Sequence, residues 1–127
     1  MPEERKSISE ILIVDDDPDV VDVLCQICED AGCPADTAYD GIKAYELHEN
    51  NGYHLIVTDG CMPGLDGLGL LKKVRQSEHG NDVHVVLVSG TECERWRECG
   101  FDDCIRKPIG LSELYACIRK YCKCSGQ

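Results

Sequence analysis

An aspartate ends a short apolar segment of this sequence, at a position where a carboxylate could take part in chemistry. Residues 55–58 are Leu-Ile-Val-Thr, a run typical of a buried strand, and Asp59 follows directly. Residues 60–64, Gly-Cys-Met-Pro-Gly, then predict a tight turn. Open α/β sheets place their ligand crevice at the carboxyl ends of parallel strands, so we interpret Asp59 as a candidate reactive carboxylate.

The ends of three other predicted strands carry polar side chains that could share this crevice. Asp15 and Asp16 follow the first strand, Ser89 follows the fourth and Lys107 follows the fifth. Three carboxylates within a few ångströms would repel one another unless a cation lay between them, and oxygen-rich sites of this kind suit Mg²⁺. The lysine charge and the serine hydroxyl both suit an incoming phosphoryl group.

Apolar periodicity and turn residues predict five strands that alternate with five helices. The strands are expected at 11–14, 35–39, 55–59, 83–88 and 101–106, and the helices at about 18–31, 40–50, 66–78, 92–99 and 111–122. Asp17 is the predicted N-cap of the first helix, and Pro18 occupies its first turn. This alternation predicts an α/β fold with a parallel sheet covered on both faces.

Length and charge exclude several classes of protein. At 127 residues the chain is expected to be one domain, with an ordered core at about 9–122 and no output domain. No apolar run approaches the roughly 20 residues of a membrane span, and the charged N-terminal residues do not form a signal peptide. The formal net charge of −11 argues against nucleic acid or an anionic membrane as a direct partner. We therefore expect a cytoplasmic protein.

The ten cysteines allow three interpretations. A disulfide scaffold is one, but the cysteines are scattered through predicted helices and strand ends of a chain with an ample core, which favours reduced thiols. Cys25 and Cys28, with Cys33 nearby, also have the spacing of a zinc or redox pair. We favour small apolar residues and surface thiols over that alternative. The four histidines are expected at the surface or beside strands.

On these motifs the sequence resembles the receiver domains of two-component response regulators, and is similar to the free-standing chemotaxis type. The matching segments are 13–18 (Ile-Val-Asp-Asp-Asp-Pro), 57–67 (around Asp59 and Met-Pro-Gly), 88–90 (Val-Ser-Gly) and 107–109 (Lys-Pro-Ile). The resemblance implies a flavodoxin-like, doubly wound, five-stranded parallel sheet of order 2-1-3-4-5 with five helices. It also implies that a sensor histidine kinase or phosphotransfer protein phosphorylates Asp59.

The same resemblance assigns roles to the other strand-end residues. It implies that Asp16, Asp59 and the backbone carbonyl of Cys61 hold Mg²⁺, with Asp15 acting through water. It further implies that Ser89 bonds one phosphoryl oxygen and that Lys107, placed by a cis bond to its proline, pairs with another.

A protein of this kind would be a signalling phosphoacceptor rather than an enzyme. The acyl phosphate at Asp59 is prone to hydrolysis, so the expected device is a timed switch that acts through contact with a downstream protein. Nucleic acid is not an expected direct partner, membrane insertion is not expected, and the oligomeric state is left open between a monomer and a weak dimer.

The sequence departs from the family at three points. Cys61 stands two residues after Asp59, where many relatives carry a larger polar residue beside the path of attacking water. Cys104 stands three residues before Lys107, where an aromatic side chain usually moves on activation; Phe101 or Trp96 could take over that coupling. Ser89 and Lys107 are 18 residues apart, about one helical turn closer than is common, which predicts that the fourth helix or the loop before it is short.

Two other functions compete with the phosphoacceptor. A pseudo-receiver would serve only as an interaction module, but Asp16, Asp59, Ser89 and Lys107 are all intact. A Mg²⁺-dependent phosphohydrolase with an aspartate nucleophile would want a second aspartate two residues after the first, and Cys61 stands there.

Overall fold

A single five-stranded parallel sheet forms the centre of the protein. The computed structural model describes residues 9–78, 80–90 and 95–122. The strands are β1 (Ile11–Val14), β2 (Ala35–Ala38), β3 (Leu55–Asp59), β4 (His84–Ser89) and β5 (Asp103–Arg106), and their order in the sheet is β2-β1-β3-β4-β5. This is the flavodoxin-like order expected from the resemblance.

Five helices connect the strands and cover the sheet. They are α1 (Pro18–Asp30), α2 (Gly41–Asn50), α3 (Gly67–Gln76), α4 (Trp96–Cys99) and α5 (Leu111–Tyr121). Because consecutive parallel strands need crossovers, the turns that follow β1, β3 and β5 all lie at the same edge of the sheet.

Two apolar layers hold the helices against the sheet. β1 is buried along its whole length, so its side chains alternate between the two layers. Helices α1 and α5 form one layer with the sheet, mainly through Val21, Leu24, Ile27, Cys28, Leu114, Cys117 and Ile118. The other layer includes residues of α2, α3 and the α4 region, among them Ala44, Leu70, Leu71, Val74, Trp96 and Phe101.

Aspartates begin three of the helices at the sheet edge where the polar residues gather. Asp17 caps α1 by accepting a hydrogen bond from the Asp19 amide at 3.0 Å, as predicted. Asp40 caps α2 and Asp66 caps α3 in the same way. In α5 the start is at Gly110, whose amide donates to the Glu113 carboxylate at 3.0 Å.

The element boundaries differ from the predictions at a few ends. β5 begins at Asp103 instead of residue 101, because the Asp102 carboxylate turns back and accepts a hydrogen bond from the Val85 amide at 2.8 Å. β4 is shifted by one residue and includes Ser89. The fourth helix is short, as predicted, and ends at Cys99; the predicted residues 92–94 lie outside the described part of the chain.

The prediction of reduced thiols is wrong at two positions. Cys33 and Cys104 are disulfide-bonded. The free thiols of the described residues are Cys25, Cys28, Cys61, Cys99, Cys117 and Cys122. Sequence spacing could not predict which cysteines form disulfides, because a disulfide depends on the distance between two side chains in the folded chain.

The zinc alternative for the first-helix cysteines finds no support in the structure, where the nearby Cys33 is disulfide-bonded. Burial raises the pKa of Cys25 to about 11 and that of Cys28 to about 12, so both are neutral thiols at physiological pH. Within the described ranges, the group of side chains close enough together to hold a metal ion is Asp15, Asp16 and Asp59, and it contains no cysteine. Cys28 instead packs as a small apolar residue in the core.

One histidine is more buried than expected. His48 lies in α2 and is 7% exposed, and its Nε2 is 2.9 Å from the Ser77 hydroxyl that follows α3. The contact joins residues 29 positions apart, so helical periodicity alone did not reveal it. No helix within the described ranges combines the length and the apolar character that a membrane crossing requires.

Candidate functional site

Lys107 brings two aspartates together at the carboxyl edge of the sheet. Its Nζ lies 3.2 Å from Asp15 Oδ2 and 3.3 Å from Asp59 Oδ1. Asp15 follows β1, Asp59 ends β3 and Lys107 follows β5, so three strand ends converge on one point. The Lys107–Pro108 peptide bond is cis.

The surroundings of these groups alter their proton affinities. Burial raises the pKa of Asp15, and the nearby charge of Asp59 adds to that rise; hydrogen bonds from the Asp17 amide and from Lys107 act in the opposite direction without cancelling it. Burial by itself would lower the pKa of Lys107, but the carboxylates of Asp15 and Asp59 together raise it above its ordinary value. Lys107 is therefore firmly protonated at neutral pH.

Three carboxylates at this edge of the sheet lie close enough together to hold a metal ion. Asp15, Asp16 and Asp59 each offer an oxygen, and these oxygens all lie within 4.8 Å of one another. Asp15 is 2% exposed, and its oxygens already accept from the Asp17 amide at 2.9 Å and from Lys107. Asp16 is exposed and so presents its carboxylate to solvent. An all-oxygen set that is open on one side suits a hydrated divalent cation such as Mg²⁺.

The two carboxylate oxygens of Asp59 have different partners. Oδ1 accepts a hydrogen bond from the Gly60 amide at 2.9 Å and lies against Lys107 Nζ. Oδ2 has no hydrogen bond or ion pair with any described residue. The site thus holds one oxygen of Asp59 in place and leaves the other available.

Backbone contacts fix the chain around Asp59. The Gly60 amide also donates a hydrogen bond to the Val88 carbonyl at 3.2 Å, and this bond joins the end of β3 to β4. The Thr58 hydroxyl donates to the Asp59 carbonyl at 2.9 Å. Gly67, the first residue of α3, approaches so closely that a Cβ built on it would lie 2.5 Å from that same carbonyl oxygen.

The remaining predicted site residues lie beside this cluster. Ser89 ends β4 one residue after Val88, the partner of Asp59 in the ladder, and its carbonyl accepts from the Lys107 amide at 2.9 Å. Cys61 is exposed in the turn after β3. The structure therefore joins Asp15, Asp16, Asp59 and Lys107 directly, and sets Ser89 and Cys61 on adjacent segments.

This geometry agrees with comparisons against known proteins. The family model described as the response regulator receiver domain matches residues 11–119. The chain belongs to the response regulator receiver family. An uncharacterised 14.6 kDa protein of Leptolyngbya boryana is 33% identical over 117 residues, which cover 89% of both chains.

Longer relatives contain the same unit as a part. A transcriptional regulatory protein CpxR homolog of Haemophilus influenzae is 33% identical over 114 residues, which cover 88% of this chain but 49% of the relative. This receiver chain thus spans about half the length of that regulator.

One solved receiver domain similar to this chain contains a bound metal ion. The receiver domain of sensor histidine kinase PA1611 from Pseudomonas aeruginosa has a magnesium ion coordinated in its active-site cleft. It is 27% identical to this chain, superposes with a TM-score of 0.82, and the match covers 91% of this chain and 98% of that one.

Sequence reasoning missed the role of Thr58. The residue was counted as part of an apolar strand, although a hydroxyl in the last buried position before the candidate carboxylate is itself an indication of a polar contact. Gly67 was included in a matching segment, but its close approach to Asp59 depends on how α3 meets β3.

Proposed function

We propose that this protein is a phosphoacceptor that receives a phosphoryl group on Asp59 and signals through the modified state. The observation that carries the proposal is the asymmetry of the Asp59 carboxylate. Oδ1 is held by the Gly60 amide and Lys107, whereas Oδ2 is without a partner among the described residues. A carboxylate that is fixed at one oxygen and free at the other is oriented for attack.

A divalent cation fits the acidic cluster. Asp16 and Asp59 are the residues that would hold Mg²⁺, together with the backbone carbonyl of Cys61, and Asp15 would act through water. The all-oxygen donor set is the one that Mg²⁺ prefers. When bound, Mg²⁺ supplies positive charge that offsets the charge on the transferred phosphoryl group.

The residues of the chain supply the rest of the chemistry. Asp59 Oδ2 forms a bond to phosphorus as the phosphorus–nitrogen bond of a phosphohistidine breaks, and the electron pair of that bond returns to the imidazole nitrogen. Lys107 is protonated and 3.3 Å from Asp59 Oδ1, so it can pair with a phosphoryl oxygen. Ser89, at the neighbouring strand end, is the proposed hydroxyl donor to another phosphoryl oxygen.

The phosphorylated state of Asp59 is temporary because it is an acyl phosphate. An acyl phosphate loses its phosphoryl group when water attacks phosphorus and the Asp59 carboxylate leaves, which releases inorganic phosphate. The protein acts only on itself in these steps and is a signalling component rather than an enzyme with a separate substrate. Cys61 borders the approach of water, so its small thiol is expected to influence the lifetime of the phosphorylated state.

We further propose the partners and the extent of the unit. The donor is a sensor histidine kinase or a phosphotransfer protein, the reader is a downstream protein, and residues of about 9–122 form one receiver domain. We infer a cytoplasmic location from this donor chemistry.

Phosphorylation by a small donor tests the proposal. The protein and its Asp59→Asn variant are incubated with acetyl phosphate and Mg²⁺, and intact mass is recorded with time; beryllofluoride binding provides a second readout. We expect one phosphoryl group on the wild type and none on the variant. An unmodified wild type would favour the pseudo-receiver, and rapid turnover of varied phosphate esters would favour a phosphohydrolase.

A further inference from the structure

Thr58 places a hydroxyl where the surroundings are apolar. It is 0% exposed and pairs with Val14 of β1 and Leu87 of β4 in the sheet. The side chain before it on the same face, Ile56, belongs to the apolar layer under α2 and α3. Valine has almost the same shape as threonine and would bury no polar group, so the hydroxyl needs a partner that justifies its burial.

That partner is the backbone of the phosphoacceptor itself. Thr58 Oγ1 donates to the Asp59 carbonyl at 2.9 Å. This carbonyl and the Gly60 amide belong to one planar peptide unit, so fixing the direction of the oxygen also fixes the direction of the N–H. The same N–H is the group that donates to Asp59 Oδ1 at 2.9 Å.

We propose that Thr58 is a positioning residue, whose hydroxyl orients the Asp59–Gly60 peptide and thereby selects which carboxylate oxygen is available for attack. The proposal rests on the proposed function of Asp59. With the peptide held, the Gly60 amide and Lys107 occupy Oδ1, and Oδ2 is left for phosphorus. If the peptide rotates, the carboxylate loses its hydrogen bond and both oxygens compete for Lys107.

A second contact points to the same peptide. A Cβ on Gly67 would lie 2.5 Å from the Asp59 carbonyl oxygen and 3.0 Å from Gly60 Cα, so α3 closes against the peptide from another side. The Gly67 amide also donates to the Gly60 carbonyl at 3.1 Å. The Val88 carbonyl accepts from the N–H side of the peptide at 3.2 Å, Thr58 holds its carbonyl side, and Gly67 leaves room for it; together they leave the peptide little freedom.

Three variants separate positioning from packing. Thr58→Val removes only the hydroxyl, Thr58→Ser keeps it, and Thr37→Val makes the same change at a half-buried threonine in β2 away from the site. We expect Thr58→Val to slow phosphorylation by acetyl phosphate about fivefold to tenfold, the effect of losing one hydrogen bond. Thr58→Ser should recover most of the rate, and Thr37→Val should match the wild type.

Amide hydrogen exchange at Gly60 measures directly how firmly the Asp59–Gly60 peptide is held, and it needs neither phosphate nor metal. Thr58→Val is expected to lower the protection of the Gly60 amide, and Thr58→Ser to restore it, with unchanged protection across β1. Equal Gly60 protection and equal phosphorylation rates in wild type and Thr58→Val would overturn the proposal, as would a Thr58→Ser variant as slow as Thr58→Val. If the wild type is not phosphorylated, the proposed function fails, but the exchange experiment still decides whether Thr58 holds the peptide.

Discussion

The close contact between Gly67 and the end of β3 gives a sharp prediction for Gly67→Ala. The added methyl carbon would lie 2.5 Å from the Asp59 carbonyl oxygen, whereas ordinary contacts begin at 3.4 Å, so the two segments must separate by about 0.9 Å. Both the helix start and the strand end are backbone, so a side-chain rotation cannot relieve the overlap. The displacement therefore falls on Asp59 and Gly60.

The expected cost follows from this displacement. Overpacking of a filled interior costs about 1–3 kcal/mol, and the better helix propensity of alanine offsets at most about 1 kcal/mol. We expect a net loss of about 1–2 kcal/mol in the free energy of unfolding. A misplacement near 1 Å of a reacting group can reduce a rate by about 10²-fold, so we expect phosphorylation to slow by about 10- to 100-fold.

Urea unfolding and the rate of phosphorylation by acetyl phosphate measure the two effects. Gly52→Ala is the matched control, because a Cβ at Gly52 meets no atom within 4 Å. The control should retain the stability and rate of the wild type. If Gly67→Ala behaves like Gly52→Ala in both assays, α3 does not hold the Asp59 peptide and the account of the site is wrong.

Three further predictions concern metal linkage, thiol reactivity and the opposite edge of the sheet. Mg²⁺ at about 100 times its dissociation constant should raise the free energy of unfolding of the wild type in urea by about 2.7 kcal/mol. The Asp59→Asn variant should lose most of that gain. Equal stabilisation of both proteins would contradict a metal site at Asp59. Iodoacetamide should label exposed Cys61 at neutral pH and spare Cys28, because burial raises the pKa of the Cys28 thiol to about 12. Peptide mass spectrometry gives the order in which the cysteines are labelled, and early labelling of Cys28 would refute this prediction. Asp102→Ala should lower the free energy of unfolding by about 2–3 kcal/mol, because it removes the acceptor of Arg75 and of the Val85 amide, both at 2.8 Å. The phosphorylation rate should be unchanged, because Asp102 lies at the opposite edge of the sheet from Asp59. A large change in that rate would contradict this separation.

The cluster at the sheet edge could be predicted from sequence because of a general property of parallel sheets. Strands that run in one direction end at one edge, so the residues that follow them converge without any knowledge of side-chain packing. Asp15 and Asp59 both lie within 3.3 Å of Lys107 Nζ, although 92 positions separate Asp15 from Lys107. Element types were likewise accessible for most elements, from apolar periodicity and the turn residues that end each segment, whereas the second strand was weak and the fourth helix polar.

Other features depended on contacts that no local pattern records. His48 is buried because α2 packs beside the segment after α3, where its Nε2 meets the Ser77 hydroxyl. The disulfide bonds at Cys33 and Cys104 require particular distances in the folded chain. β5 began late because Asp102 bonds across to β4, a contact between residues 17 positions apart.

Chemical location of the phosphoryl group tests the central claim most directly. An acyl phosphate is reduced by borohydride to an alcohol, which would convert phosphorylated Asp59 into homoserine, whereas free carboxylates do not react. The protein is treated with acetyl phosphate and Mg²⁺, reduced, digested and sequenced by mass spectrometry. We predict homoserine at position 59 alone, and none when Mg²⁺ is chelated beforehand. Homoserine at Asp15 or Asp16, or a phosphoryl group that resists reduction, would contradict Asp59 as the phosphoacceptor.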